Sequence, residues 1–204
     1  MTETPANPPA APVPTLNIAN VLTTLRIIMV PFFIWALVAD ESHYGWMRWV
    51  AVAIFAVAMY TDKLDGDLAR SRGLITNFGK IADPIADKLL TGSALVMFSI
   101  LGELPWWITT VILVREWGIT LIRFAVIRYG VMAASRGGKL KTVLQTAAIL
   151  LYLLPWTHTL SWLWVVAFIV MLLALAITVI TGLDYLSKAW ALRASATSGD
   201  TQRS

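Results

Sequence analysis

The sequence predicts an all-α integral membrane fold, with six transmembrane helices, an N-terminal interfacial helix leading into them, and both termini cytoplasmic. Three observations predict it. The 204 residues are 58% hydrophobic and only 14% charged, whereas a water-soluble domain draws on roughly 25% charged residues to furnish its surface. Apolar stretches recur from Ile27 almost to the C-terminus, most of them near or above the ~20 residues that cross a bilayer. The segments between them alternate in basic content, which is the signal that orients a multi-pass chain.

Residues 1–15 are rich in Pro and Ala, contain no Lys or Arg and have no long apolar core. They lack the pattern of a signal peptide and are expected to form a disordered cytoplasmic tail. Residues 17–26, NIANVLTTLR, alternate apolar and polar side chains at roughly helical spacing, which predicts the interfacial helix. It feeds a first span over 27–38, and further spans are expected over 46–69, 81–101, 106–129, 140–154 and 160–190. Arg70, Arg72 and Lys80 lie between spans two and three, and Arg128, Arg136, Lys139 and Lys141 between four and five. Lys188, Arg193 and Arg203 follow span six, whereas segments 40–44, 102–105 and 155–161 hold no Lys or Arg. The positive-inside rule then places both termini in the cytoplasm. Trp46, Trp49, Trp106, Trp107, Trp156, Trp162 and Trp164 gather near the opposite loops, where indole rings anchor at the headgroup level. The expected organisation is one six-helix domain over 16–192, followed by a cytoplasmic tail over 193–204.

Some chemistry is excluded at once. The chain has no cysteine, so thiolate ligands, thiol nucleophiles and disulfides are absent. Its net charge of +4 is spread over membrane-flanking positions rather than drawn into a basic tract, which argues against nucleic acid as a partner. His43 and His158 fall in the non-basic loops with no third ligand nearby, so neither is a metal candidate.

Residues 62–87 read DKLDGDLARSRGLITNFGKIADPIAD and carry the chemistry. At about 100° per residue, Asp62, Asp65, Gly66 and Ala69 share one helix face while Asp67 points elsewhere. On the next helix Gly79, Asp83 and Asp87 recur at four-residue steps and form a second stripe. The short connection makes the two helices antiparallel neighbours, with the acidic stripes able to face each other. Carboxylates beside apolar spans cost about 3 kcal/mol apiece even on a lenient insertion scale, and they repel one another unless cations neutralise them. Hard oxygen donors point to Mg²⁺ or Mn²⁺, and four carboxylates accommodate two such ions.

Asp62-x2-Asp65-Gly66-x2-Ala69-Arg70-x8-Gly79-x3-Asp83-x3-Asp87 resembles the signature of the CDP-alcohol phosphatidyltransferase family at every fixed position and in every gap. Eight fixed positions at about one in fifteen each coincide by chance roughly once in 10⁹ starting points, so the pattern is specific. The family's six-helix layout agrees with the spans above. The resemblance implies that Asp62, Asp65 and Asp83 bind metal and that Asp87 joins the metal site and acts as general base. It further implies that Gly66, Ala69, Arg70 and Gly79 adjoin the CDP moiety of a CDP-diacylglycerol donor, and that the enzyme is a homodimer.

The aspartate motif says nothing about the acceptor, which falls to a second group of residues. Arg115 and Arg123 lie eight residues apart on one face of span four, and Lys139 and Lys141 begin span five. An arginine inside an apolar stretch needs a counterion. Glu116 is adjacent in sequence but faces about 100° away, so an anionic substrate is the expected partner of Arg115. The stretches NIANVLTTLR, VREWGITLIR and GGKLKT resemble segments of the bacterial phosphatidylglycerophosphate synthase subfamily, whose acceptor is sn-glycerol 3-phosphate. That resemblance implies that Arg115, Arg123, Lys139 and Lys141 surround the acceptor phosphate, and that Asn20, Thr23 and Arg26 lie near the nucleotide. Two rivals share some of these features. A cardiolipin synthase of the same fold would take phosphatidylglycerol as acceptor, and a divalent-cation transporter would need its carboxylates near the bilayer midplane.

Overall fold

The computed structural model describes residues 17–71, 76–126 and 136–200, and among them the chain is all helix, with no strand. Six long helices and one short one follow in order: α1 (Ile18–Asp40), α2 (Trp46–Ser71), α3 (Asn77–Ile100), α4 (Trp106–Val126), α5 (Arg136–Leu153), α6 (Pro155–Thr159) and α7 (Ser161–Asp200). The expected tail at 1–15 lies outside the described residues, as do the connections 72–75 and 127–135 and the side chains of Ala69, Arg70 and Arg123; of the expected tail at 193–204, residues 193–200 continue α7 and 201–204 lie outside the described residues.

Two helices are long and apolar enough to cross a membrane by length and composition, over Asn20–Asp40 and Ser161–Ser187. The helices between them fall short on that measure because each carries charged side chains along its length, among them Asp62, Asp65 and Asp67 on α2 and Arg115 and Glu116 on α4.

The segment expected as a separate interfacial helix is instead the first part of α1, which runs unbroken from Ile18 to Asp40. No helix-breaking residue separates Arg26 from Ile27, and Pro31, the one proline in the helix, lies further on. Asn17 caps the helix, its side chain accepting from Asn20 N at 3.0 Å. The polar face of this first part turns inward: Asn20, Thr23 and Arg26, three residues apart, are 6%, 1% and 1% exposed.

That inward face changes how the acidic helices meet. α1 packs along both α2 and α3, whereas α2 and α3 touch each other over only a short stretch. The short connection does bring the two helices side by side in the chain, but α1 occupies the groove between them. The acidic stripes therefore meet across α1 rather than directly. On the other side of the molecule α7 packs against α5 and α4.

The apolar core lies between these layers, built from Phe33 and Leu37 on α1, Phe55 on α2, Leu90 and Phe98 on α3, and Ile149 on α5, all fully buried. Burying side chains of this size stabilises by about 1.5–3 kcal/mol each in water, and in a bilayer the same contacts act through packing. At one end of the bundle a charged cluster adds a second kind of tie. Arg48, with no exposed surface, pairs with the buried Glu103 and donates to the carbonyls of Leu153 and Tyr152 at 3.3 and 3.1 Å. His158 Nε2 lies 3.6 Å from Glu103, and its ring stacks on Tyr44 at 4.2 Å. This cluster joins the α1–α2 turn, the α3–α4 turn and the α5–α6 junction.

Candidate active site

Asp62 and Asp65 stand about fourteen and seventeen residues beyond Arg48 on α2, roughly 20–25 Å away along the helix, towards the opposite end of the bundle. The expected face is present. Asp65 is 4% exposed, Asp62 and Gly66 are half-buried and Asp67 is exposed. On α3, Asp83 and Asp87 are half-buried and Gly79 is buried.

α1 supplies the groups that bring the carboxylates together. The Arg26 guanidinium reaches Asp62 Oδ1 through Nη1 at 2.6 Å and Asp65 Oδ2 through Nη2 at 2.6 Å. Thr23 Oγ1 lies 2.6 Å from Asp83 Oδ1, to which it donates, and 3.5 Å from Asp65 Oδ2. One buried cation and one hydroxyl thus tie three aspartates from two helices. A buried guanidinium is stable only when so paired.

Gly79 shows why a small residue stands at the start of α3. A Cβ there would come within 3.0 Å of Asn20 Oδ1 and 3.3 Å of Thr76 Oγ1. Thr76 caps α3 by accepting from Gly79 N at 3.0 Å, and its hydroxyl exchanges hydrogen bonds with the Asn20 amide at 2.9 and 3.1 Å. Gly79 therefore lets α3 approach α1 closely enough for Thr23 to reach Asp83. Thr76 was not among the residues singled out from sequence, although a threonine three positions before the glycine is a readable cap signal.

Asp87 stands apart from this trio. It lines an open recess with Thr91 on its own helix, Glu116 on α4, and Lys141 and Gln145 on α5. Its carboxylate is repelled by Asp62 and Glu116 and attracted by Lys88 and Lys141, so it sits electrostatically between the acidic trio and the basic group.

The basic group is built around an acid. Glu116 Oε1 accepts from Lys141 Nζ at 2.6 Å and from Arg115 Nη1 at 3.0 Å, which corrects the expectation that Glu116 points away from Arg115. Side chains this long span the angle between adjacent helical positions, and Lys141 from α5 draws the carboxylate to the same point. Arg115 Nη2 also donates to Thr181 Oγ1 on α7 at 2.7 Å. Lys139 is exposed and stands about 200° around α5 from Lys141. The side chain of Arg123 lies outside the described residues.

The donor set for a metal consists of carboxylates alone, the ligands of a hard divalent cation. Among the described residues no three acidic or imidazole groups stand together at one ion-holding point, because Arg26 and Thr23 take carboxylate oxygens on Asp62, Asp65 and Asp83. Arg26 supplies one positive charge against the three carboxylates of Asp62, Asp65 and Asp83, which leaves the trio negatively charged. Their number and chemistry fit a divalent cation.

A family model for CDP-alcohol phosphatidyltransferase matches residues 16–180. The chain belongs to this family. Its match takes in all four aspartates, the α1 residues that tie them and the recess beyond, and the phosphatidyltransferases of the family use divalent metals as a rule. Among similar proteins is the "Probable phosphatidylglycerophosphate synthase" of Mycobacterium tuberculosis, 54% identical over 85% of this chain and 81% of the relative. The "CDP-diacylglycerol--glycerol-3-phosphate 3-phosphatidyltransferase" of Bacillus subtilis is 35% identical, over 85% of this chain and 95% of the relative. A protein of the same description from Rickettsia felis is 35% identical over 83% and 93%. Membership in a transferase family displaces the transporter reading.

Proposed function

We propose that this phosphatidyltransferase moves the phosphatidyl group of CDP-diacylglycerol to the primary hydroxyl of sn-glycerol 3-phosphate, giving phosphatidylglycerophosphate and CMP. The observation that supports this reading is a recess lined by Asp87 together with Glu116 and Lys141, with Arg115 paired to Glu116 behind them. A phosphomonoester held by the cations would present its glycerol hydroxyl to Asp87, and Thr91 and Gln145 line the space between with neutral polar groups. The descriptions of the Mycobacterium, Bacillus and Rickettsia relatives support the same acceptor.

Asp87 takes the proton of the acceptor hydroxyl as its oxygen attacks the phosphatidyl phosphorus, and the bond from phosphorus to the CMP oxygen breaks. Asp62, Asp65, Asp83 and Asp87 would hold divalent cations, Mg²⁺ or Mn²⁺ and two per site, which when bound supply charge stabilisation to the diphosphate and its leaving group. Arg26, with Asn20 and Thr23 beside it, is assigned to the nucleotide side of the site. Gly66, Ala69, Arg70 and Gly79 complete the nucleotide side. Lys139 and Arg123, with Arg115 and Lys141, are assigned to the acceptor phosphate. The enzyme is proposed to act as a homodimer, by resemblance to its family.

The domain spans 16–192 in this reading, with cytoplasmic tails at 1–15 and 193–204, and crosses a bacterial cytoplasmic membrane six times. Outward-facing apolar side chains support six crossings, since Phe32, Val57, Ile100, Val114, Val143 and Ile180 on six helices are each at least half exposed, as lipid-facing residues are. The active site lies on the cytoplasmic side.

Purified protein supplied with CDP-diacylglycerol and Mg²⁺ or Mn²⁺ is expected to release CMP only when glycerol 3-phosphate is added. CMP release that ignores glycerol 3-phosphate but rises with phosphatidylglycerol would assign the chain to cardiolipin synthesis instead.

A further inference from the structure

Glu116 has no role in the reaction as written, yet it sits at the centre of the group assigned to the acceptor. Its carboxylate takes two charge-assisted hydrogen bonds on one oxygen, from Lys141 and Arg115, and those two cations are its described partners. All three side chains are 11–17% exposed, so the charges interact with little screening.

The cations and the acid are not held alike. Arg115 is fixed by α7 as well as by Glu116: Thr181 accepts from its Nη2 at 2.7 Å, and Gly182 leaves so little room that a Cβ there would lie 3.1 Å from Arg115 Cγ and Nε. Thr181 is itself anchored, its hydroxyl donating to Ile177 O at 2.7 Å. Glu116 borders the recess that it shares with Asp87, whereas Arg115 is held from α7. The charges also balance unevenly. Two cations and one carboxylate leave a net charge of +1, whereas the same two cations facing a phosphate dianion leave none.

We infer that Glu116 is a competing internal anion, which occupies the acceptor phosphate's cations when no acceptor is bound and is displaced by a dianionic phosphomonoester. The inference rests on the proposed acceptor. It makes Glu116 a specificity residue: a neutral polyol gains nothing that repays displacement of the carboxylate, while a phosphate dianion replaces one negative charge with two at cations already in place. The alternative is that Glu116 stays put and orients Lys141 and Arg115 for the phosphate.

The two roles move the acceptor KM in opposite directions. Glu116→Gln keeps the size of the side chain and removes its charge. Under displacement the KM for glycerol 3-phosphate falls, on the order of tenfold for one half-buried competing ion pair, and inorganic phosphate inhibits the variant at lower concentration than it inhibits the native enzyme. The KM for CDP-diacylglycerol changes less than that for glycerol 3-phosphate, since Glu116 reaches the donor side only through its repulsion of Asp87. A KM for glycerol 3-phosphate that rises or does not change overturns the inference. Glu116→Asp keeps the charge and withdraws it by one methylene, and it decides the matter if the amide variant does not fold, since displacement again lowers the KM and positioning raises it. Loss of dependence on glycerol 3-phosphate in the native enzyme is a separate result, which removes the proposed acceptor and not merely the role of Glu116.

Discussion

Asp87 differs from the other three aspartates in its surroundings, not in its chemistry. Asp62 and Asp65 are held by Arg26, and Asp83 by Thr23, whereas Asp87 faces the recess among Glu116, Lys141 and Gln145. A carboxylate placed at the edge of the space where the acceptor would sit is the one suited to take its proton. Asp87→Asn is expected to lower turnover by about 10²–10⁴-fold, the usual worth of a positioned general base. Because burial, Asp62 and Glu116 oppose the native carboxylate while Lys88 and Lys141 favour it, the neutral variant should fold about as stably as the native enzyme and still bind CDP-diacylglycerol. Turnover close to native, measured as CMP release with both substrates saturating, would assign the proton to another group.

At the scale of helices, the spacing of the aspartates was enough to read two acidic stripes, and the stripes are where they were expected. How they meet was not legible. Loop length implies that α2 and α3 are neighbours, but it carries no information about a third helix entering the groove between them, and α1 does so with Asn20, Thr23 and Arg26. Those residues alternate with Ile18, Val21 and Leu25, which are exposed, and the same amphipathic pattern describes a helix lying on a membrane or one burying its polar face on acids. The pairing of Glu116 was hidden for a related reason, since helical angle fixes where Cβ points and not where a long side chain ends. Arg26 is the internal counter-charge of Asp62 and Asp65, and in the proposed reading metal would compete with it there. Arg26→Ala leaves Asp65, 4% exposed, without its counter-charge, which costs about 3–5 kcal/mol for a broken buried pair. The variant is expected to unfold at a Tm lower by about 6–20 °C in the presence of chelator, and to recover much of that loss when Mg²⁺ is added. Native enzyme should respond less to Mg²⁺. Equal responses in thermal unfolding of the two detergent-solubilised proteins would show that Arg26 and metal do not share a site.

For the molecule as a whole, the proposed orientation rests on basic residues alone, and the structure adds only which connections share an end of the bundle. The three connections without Lys or Arg are tied to one another: Tyr44 from the first, Glu103 from the second and His158 from the third meet around Arg48. They must lie at the same end of the bundle, away from Asp62 and from Lys141. Asp40 reinforces this end by accepting from Tyr44 N and Gly45 N at 3.1 and 3.0 Å, which holds a turn containing the left-handed residues Glu41, Ser42 and Tyr44. A helix pair joined at this end must return to the other, so an even number of crossings places α1's start and the aspartates on one face. Because the chain has no cysteine, single cysteines can be introduced without background labelling. Glu41→Cys and Ser161→Cys, both at exposed positions of this end, are expected to react with a membrane-impermeant maleimide added to intact cells. Ser71→Cys, exposed at the far end of α2, should react only after the membrane is permeabilised. The opposite pattern would place the aspartates, and the consumption of a soluble phosphate ester, outside the cell. Labelling of all three in intact cells would break the link between the tied loops and a single side of the membrane.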